Sequence, residues 1–413
     1  MADERRQPMR LQNAKADLRS ILSWFSDAFS RPSFKMFSSF IVGFIQLGKE
    51  THTSSMVHSL SSSFLHRSLS SFTRFLGQNV WATEEVAQIA LEEFFRTLGI
   101  KAQSVLFLII DDTLVRKTGK IIPGCAWHKD HAQKMANVFG HQWVLSALLY
   151  RDFLLPLGAK LYHPKGTQGC GYFRTKIELA KGIVKKLQLP VPCKLYVLAD
   201  SWYWAKTLVK VCRACGYHMI SQLKSNSNLW MDGKKTKVTA LFDFASSYRE
   251  VSLFVYGKTK TLQIAKFIGE VKDLGKVAVV VVKEKRKKPV YLVCTNLRLP
   301  AIDVIKYYAK RWKIEQMIKD LKQRLGFGDY QVRSLAAIQR HVVLVLLSYF
   351  VLVLLKVLQW LKDKTQALDL SIRLLGFHLR KHILLENIRV TLGYMQIRFK
   401  QNILDTYFET LWA

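Results

Sequence analysis

Apolar positions over residues 1–100 recur at helical spacing in short segments, interrupted by Ser-rich stretches at Ser54–Ser63 and Ser68–Ser71. Thr83-Glu84-Glu85 then opens an amphipathic helix that runs to about Leu98 and stops at Gly99. The rhythm changes after Ser104. Val105–Ile110 is apolar at every position and ends in Asp111-Asp112-Thr113. A run apolar on both faces predicts a strand in the middle of a sheet. Two more strands are predicted near Trp143–Tyr150 and Phe153–Tyr162, joined by Arg151-Asp152 at hairpin spacing. A helix follows over Thr175–Leu187, then a buried strand over Lys194–Ala199 that ends at Asp200. A second helix from about Trp202 to Cys215 is closed by Gly216, and His218–Leu223 reads as a fifth strand.

Three strands in a meander followed by alternating helix and strand predict a mixed sheet with helices packed on it. Residues 224–300 break the alternation with strands at Glu250–Tyr256, Thr261–Phe267, Val277–Val282 and Val290–Thr295. The basic run Lys283–Lys288 falls at a hairpin tip. Pro300 precedes a long helix predicted from about Ile302 to Leu325, and a second one spans about Ser334 to Leu361. Within that last helix Val342–Leu355 is almost wholly apolar, 14 residues long and interrupted by Ser348 and Tyr349. A spanning helix needs roughly 20 such residues, so the run predicts a helix buried in protein, with a membrane-associated protein as the competing reading.

Charge adds a partner. The 413 residues carry 63 Lys and Arg against 30 Asp and Glu, a formal net charge of +33. An excess of that size points to a polyanion, with nucleic acid the commonest and an anionic membrane surface the alternative. At 49% hydrophobic the chain can bury a sizeable core, which excludes global disorder. Of the six cysteines, only Cys212-x2-Cys215 sits at ligand spacing, inside a predicted helix and without a second pair, so ordinary thiols are expected. His128, His131 and His141 lack acidic or thiol company at such spacing, and no zinc site is expected. The polar first 30 residues and the absence of a disulfide framework predict a reducing, cytoplasmic setting.

In so basic a chain, acids at strand ends stand out. Asp112 and Asp200 each follow a predicted buried strand, where the chemistry of open sheets collects. A carboxylate there needs a cation or a hydrogen-bond partner; capping of the next element would satisfy Asp200, while the adjacent Asp111 and Asp112 repel each other and favour a cation. The third acid is Glu315. On a continuous helix with Tyr308 at zero, Arg311 falls near 300°, Glu315 near 340° and Lys322 near 320°, one stripe within about 60° of arc. A surface ion pair between Arg311 and Glu315 would account for part of that stripe. Three converging carboxylates instead suit two Mg2+ or Mn2+ ions acting on a phosphodiester, with Tyr308, Arg311 and Lys322 along the nucleic-acid backbone.

These residues resemble the DDE transposases of bacterial insertion sequences, in particular the cut-and-paste group with the signature Y-x2-R-x3-E-x6-K. Here it reads Tyr308, Arg311, Glu315 and Lys322, with all spacings matched. Asp112-Thr113 and Leu198-Ala199-Asp200 look like the family's first and second catalytic aspartates, with Asp111 the rival for first place. The resemblance implies a ribonuclease-H-like fold of the α/β class with a β-rich insertion and flanking helical regions. It covers about residues 104–360, and the chain then divides into a helical N-terminal region at 1–100, where a DNA-binding module and a plain helical packing domain both fit, a first part of the catalytic core at 101–223, the insertion at 224–300, the last core helices at 301–361 and a C-terminal helical region at 362–413. It implies Asp112, Asp200 and Glu315 as metal ligands, and Tyr308, Arg311, Lys322 and Trp230, the lone Trp of the insertion, as DNA-binding residues. It further implies terminal-repeat binding, metal-dependent cleavage, transfer of 3′ ends to target DNA, a homodimer bridging two ends, no membrane, and a bacterial, nucleoid-associated protein. A catalytically inactive nucleic-acid-binding protein of the same fold is the alternative.

Overall fold

A computed structural model describes residues 14–48, 51–59, 68–119, 121–130, 136–167, 172–244, 248–362 and 371–381. The N-terminal part forms α1 (Ala14–Ser23), α2 (Arg31–Leu47), α3 (Thr53–Ser59), α4 (Leu69–Gly77) and α5 (Thr83–Leu98). Then come β1 (Val105–Arg116), β2 (Ala126–Asp130), β3 (Ala136–Tyr150), β4 (Phe153–Tyr162), α6 (Lys176–Lys186), β5 (Lys194–Leu198), α7 (Lys206–Ala214) and β6 (His218–Gln222). The next stretch holds β7 (Asn228–Met231), β8 (Lys234–Lys237), α8 (Leu241–Phe244), β9 (Arg249–Val255), β10 (Lys258–Val271), β11 (Gly275–Glu284) and β12 (Val290–Cys294). The chain continues through α9 (Ala301–Ala309), α10 (Trp312–Arg324) and α11 (Leu335–Lys362).

It divides into two compact units, Gly99–Lys319 and a composite of Met1–Leu98 with Asp320–Ala413. In the composite unit α11 is the hub: α1, α2, α4 and α5 all pack on it. Its sequence is apolar around the whole circumference, and Val342, Leu344, Val345, Phe350, Val351 and Leu354 are buried. By length and composition α11 could cross a membrane, but 83% of its most apolar window is buried inside the protein. Its apolar surface is therefore consumed by the helices around it, as expected for a core helix. Arg340, on the same helix, donates to the Leu76 and Trp81 carbonyls at 3.1 and 3.3 Å and stacks 5.0 Å over the Trp81 ring.

The other unit is built on one 12-stranded sheet, ordered β2-β3-β1-β5-β6-β12-β11-β10-β7-β8, with β4 on β3 and β9 on β10. β1 is central, antiparallel to β3 and parallel to β5, which explains why Leu106–Ile110 is buried on both faces. The meander at β3–β4 turns through Arg151 at φ 53°, as its hairpin spacing predicts. Capping of α6 is reciprocal: Thr175 and Glu178 form a capping box.

Some elements differ from the sequence reading. β1 does not end at Ile110. Its ladder with β3 continues to Arg116, so Asp111 and Asp112 lie within the strand. Pairing with β5 stops at Ile109, however, and the doublet projects just beyond the end of β5, where Asp200 follows. The strands of residues 224–300 extend the same sheet, β12 pairing with β6, and include the unforeseen β7–β8 hairpin. The predicted helix over 302–325 is broken into α9 and α10. At the break Lys310, Arg311, Lys313 and Ile314 donate to carbonyls three residues back, a tighter winding than the α-helix. No Gly or Pro marks the place. The single stripe of Tyr308, Arg311, Glu315 and Lys322 is thus divided: Tyr308 on α9, Arg311 in the break, Glu315 and Lys322 on α10.

Candidate active site

Successive strand residues point to opposite faces of a sheet, and the Asp doublet obeys that rule. Asp111 accepts from Arg311 Nη1 at 3.0 Å, and the other terminal nitrogen of the same guanidinium pairs with Glu315. The break between α9 and α10 sets Arg311 between two carboxylates whose chain positions are 204 residues apart (315 minus 111). Burial pushes the Asp111 carboxyl up to about 7 against the pull of Arg311, and Asp200 is near enough to add repulsion. Glu315 lies in the first turn of α10, where the helix dipole favours an acid.

Asp200 closes the loop after β5. Its Oδ1 accepts from the Trp202 and Tyr203 backbone amides at 2.9 and 3.3 Å, which delays α7 until Lys206. Tyr308 is buried beside this group, with the Arg311 guanidinium 5.9 Å from its ring centre. Burial pushes its phenol up to about 12, so it stays a neutral hydrogen-bonding group.

Asp112 has a different set of partners. Its Oδ2 accepts from Gln142 Nε2 at 2.7 Å and Lys176 Nζ at 2.8 Å, and its Oδ1 from the Tyr203 hydroxyl at 3.1 Å. The pair with Lys176 is mostly buried, 16% and 20% exposed at the side chains. Lys176→Met should therefore leave a desolvated carboxylate and destabilise the unit by about 1–3 kcal/mol. Chemical denaturation would measure that loss, and an unchanged midpoint would show that the pair does not stabilise the fold.

Arg311 joins Asp111 to Glu315, and Asp200 lies within electrostatic reach of Asp111 and Tyr308, with Asp112 next to Asp111 on β1 but held by Lys176. Lys322 stands further along α10. Trp230 lies on β7, six strands from β1 in the sheet order, registered against Lys235 and Glu270. Exposed rings nearer the acids are Trp202, two residues after Asp200 and 53% exposed, and Trp312. Lys224 and Lys176 lie 5.4 and 5.8 Å from the Trp202 ring centre.

Tyr256 was not foreseen. It forms the tip of the β9–β10 hairpin with Gly257, both at positive φ, 55° and 76°. Its ring meets Trp312 edge-on at 6.5 Å, and its phenol senses the charges of Arg311 and Glu315. The Tyr-Gly dipeptide was the available turn signal, but the hairpin's direction is a tertiary property. His141 Nε2 donates to the Pro123 carbonyl at 2.9 Å, and burial lowers its imidazole to about 4, which makes it a structural group. His131 lies outside the described residues. Cys212, Cys215 and Cys294 are free thiols.

Among the described residues no three His, Cys, Asp or Glu side chains are gathered as a ready metal cage. The donor chemistry nevertheless fits a hard divalent cation: Asp111, Asp200 and Glu315 offer only carboxylate oxygens.

The sequence profile of the transposase DDE domain matches residues 105–351. The chain belongs to the DDE transposases. The large mixed sheet with flanking helices is consistent with the ribonuclease-H-like fold of that family. Membership implies DNA binding and a metal-dependent nuclease and transposition activity in general. No curated protein is similar enough in sequence to be matched.

Proposed function

We propose that this transposase binds the terminal inverted repeats of an insertion sequence, cuts the DNA with divalent metal ions and joins the 3′ ends to a target. The observation that carries this reading is the convergence of Asp111, Arg311 and Glu315 beside Asp200, just beyond the end of β5. Residues holding the metal are Asp111, Asp200 and Glu315, with Asp111 taking the place that the sequence reading gave to Asp112. Asp112 accepts from Lys176, Gln142 and Tyr203 instead of sharing the guanidinium that binds Glu315, so it braces β1. When bound, two Mg2+ or Mn2+ ions would activate the attacking oxygen and stabilise the leaving oxygen of an in-line displacement at phosphorus.

The chain supplies the rest. Tyr308 presents a neutral phenol, and Arg311 and Lys322 present cations suited to phosphate oxygens. Trp202, exposed between two lysines, suits stacking against an unpaired base better than Trp230, whose strand is remote from β1. Two ends handled together call for a homodimer on DNA.

The reading is tested with purified protein, Mg2+ and duplex DNA bearing the inverted repeats that flank the reading frame. Nicks at the repeat ends, abolished by EDTA, are expected. Failure of the wild-type protein to cut correct ends in metal would leave the alternative, a DNA-binding protein of this fold without catalysis.

A further inference from the structure

Two carboxylates held close together in a mostly buried place repel each other, and either a proton or a cation between them relieves the repulsion. Here it is a residue of the chain. The Arg311 guanidinium forks across Asp111 and Glu315, with side-chain exposures of 18% for Arg311, 18% for Asp111 and 33% for Glu315. Its planar donors match two carboxylates in a way that an ammonium cannot. The fork is made possible by the break between α9 and α10, which puts Arg311 outside both helices.

We propose that Arg311 is a latch that keeps the metal site of the DNA-free transposase closed, and that a DNA phosphate opens it. The proposal rests on the reading of Asp111 and Glu315 as metal ligands. A guanidinium and a divalent cation compete for the same carboxylate oxygens, so the cation binds only as Arg311 leaves. A departing guanidinium exchanges two charged partners for water, which offsets their loss only in part. A phosphodiester oxygen at the site offsets the rest, because Arg311 exchanges carboxylates for phosphate at little cost. Metal and DNA then favour each other, and linkage requires the effect to be mutual. Cutting chemistry is thereby withheld from a protein that carries metal ions but no DNA.

The test measures Mn2+ binding to the full chain by electron paramagnetic resonance, with and without a short duplex of mixed sequence at low salt. Arg311→Gln should bind Mn2+ about tenfold more tightly than wild type in the absence of DNA. Adding the duplex should tighten binding to wild type by about tenfold more than it tightens binding to Arg311→Gln. Arg311→Lys keeps the charge but cannot fork, and should fall between them. Circular dichroism checks that the variants fold; if Arg311→Gln does not, Arg311→Lys alone decides by the same criterion. Equal or weaker DNA-free binding by the folded variants overturns the latch. Glu315→Gln separates the two failures. If it abolishes Mn2+ binding while the Arg311 variants gain nothing, the latch alone is wrong; if it leaves Mn2+ binding unchanged, the metal-ligand reading is wrong.

Discussion

Asp111→Asn should slow metal-dependent cleavage about a thousandfold, since a lost metal ligand removes several kcal/mol of transition-state stabilisation. Asp112→Asn should cut at a rate within about tenfold of wild type while losing about 1–3 kcal/mol of folding stability. The contrast follows from the two faces of β1. Asp111 shares a guanidinium with Glu315, whereas Asp112 is occupied by Lys176, Gln142 and Tyr203. Single-turnover cleavage on a gel, paired with denaturant unfolding, reads both quantities on the same variants. A dead Asp112→Asn beside an active Asp111→Asn would move the metal site to the other face of the strand.

The second large effect is on stability. Gly140→Ala should lower the stability of the sheet unit by about 3 kcal/mol, because overpacking against backbone cannot be relieved by a rotamer change. A Cβ at Gly140 would stand 2.0 Å from the Val115 carbonyl oxygen and 2.9 Å from its carbonyl carbon. Gly140 is paired with Arg116 of β1 on one side and Ala126 of β2 on the other, so it cannot retreat in the sheet plane. For a unit of this size that loss lowers the melting temperature by roughly 6–12 °C. Scanning calorimetry checks it; an unshifted transition would mean that β1 and β3 separate there without cost. Cleavage should also weaken, since displacing β1 displaces Asp111.

How far the sequence reveals this site depends on the range over which each residue's position is set. The apolar run before Asp111 identifies a central strand because burial on both faces leaves no polar alternation. It misplaces the strand's end because the later ladder with β3 is half-exposed and carries Asp, Thr and Arg, which do not read as a core. The spacing of Tyr308, Arg311, Glu315 and Lys322 is legible, but the helix break that aims Arg311 is not, lacking a Gly or Pro. Partners across the fold are the least legible: Arg311 meets Asp111 at a separation of 200 residues, and Lys176 meets Asp112 at 64. Nothing local in Lys176 distinguishes it from other lysines at helix starts. The choice between Asp111 and Asp112 depends on strand orientation, which a doublet alone does not specify.

The composite helical unit has a consequence for biosynthesis. Its first five helices end at Leu98, while the hub they surround, α11, begins at Leu335. At an elongation rate of about 5–20 residues per second the interval between them is on the order of tens of seconds. During that time Phe37, Phe40, Phe44 and Phe75 lack the helix that completes their enclosure. The sheet unit, contiguous in the chain, has all its residues by then. A nascent transposase is therefore expected to need a holding chaperone at its N-terminal helices, and translation pauses before Leu335 should favour its aggregation.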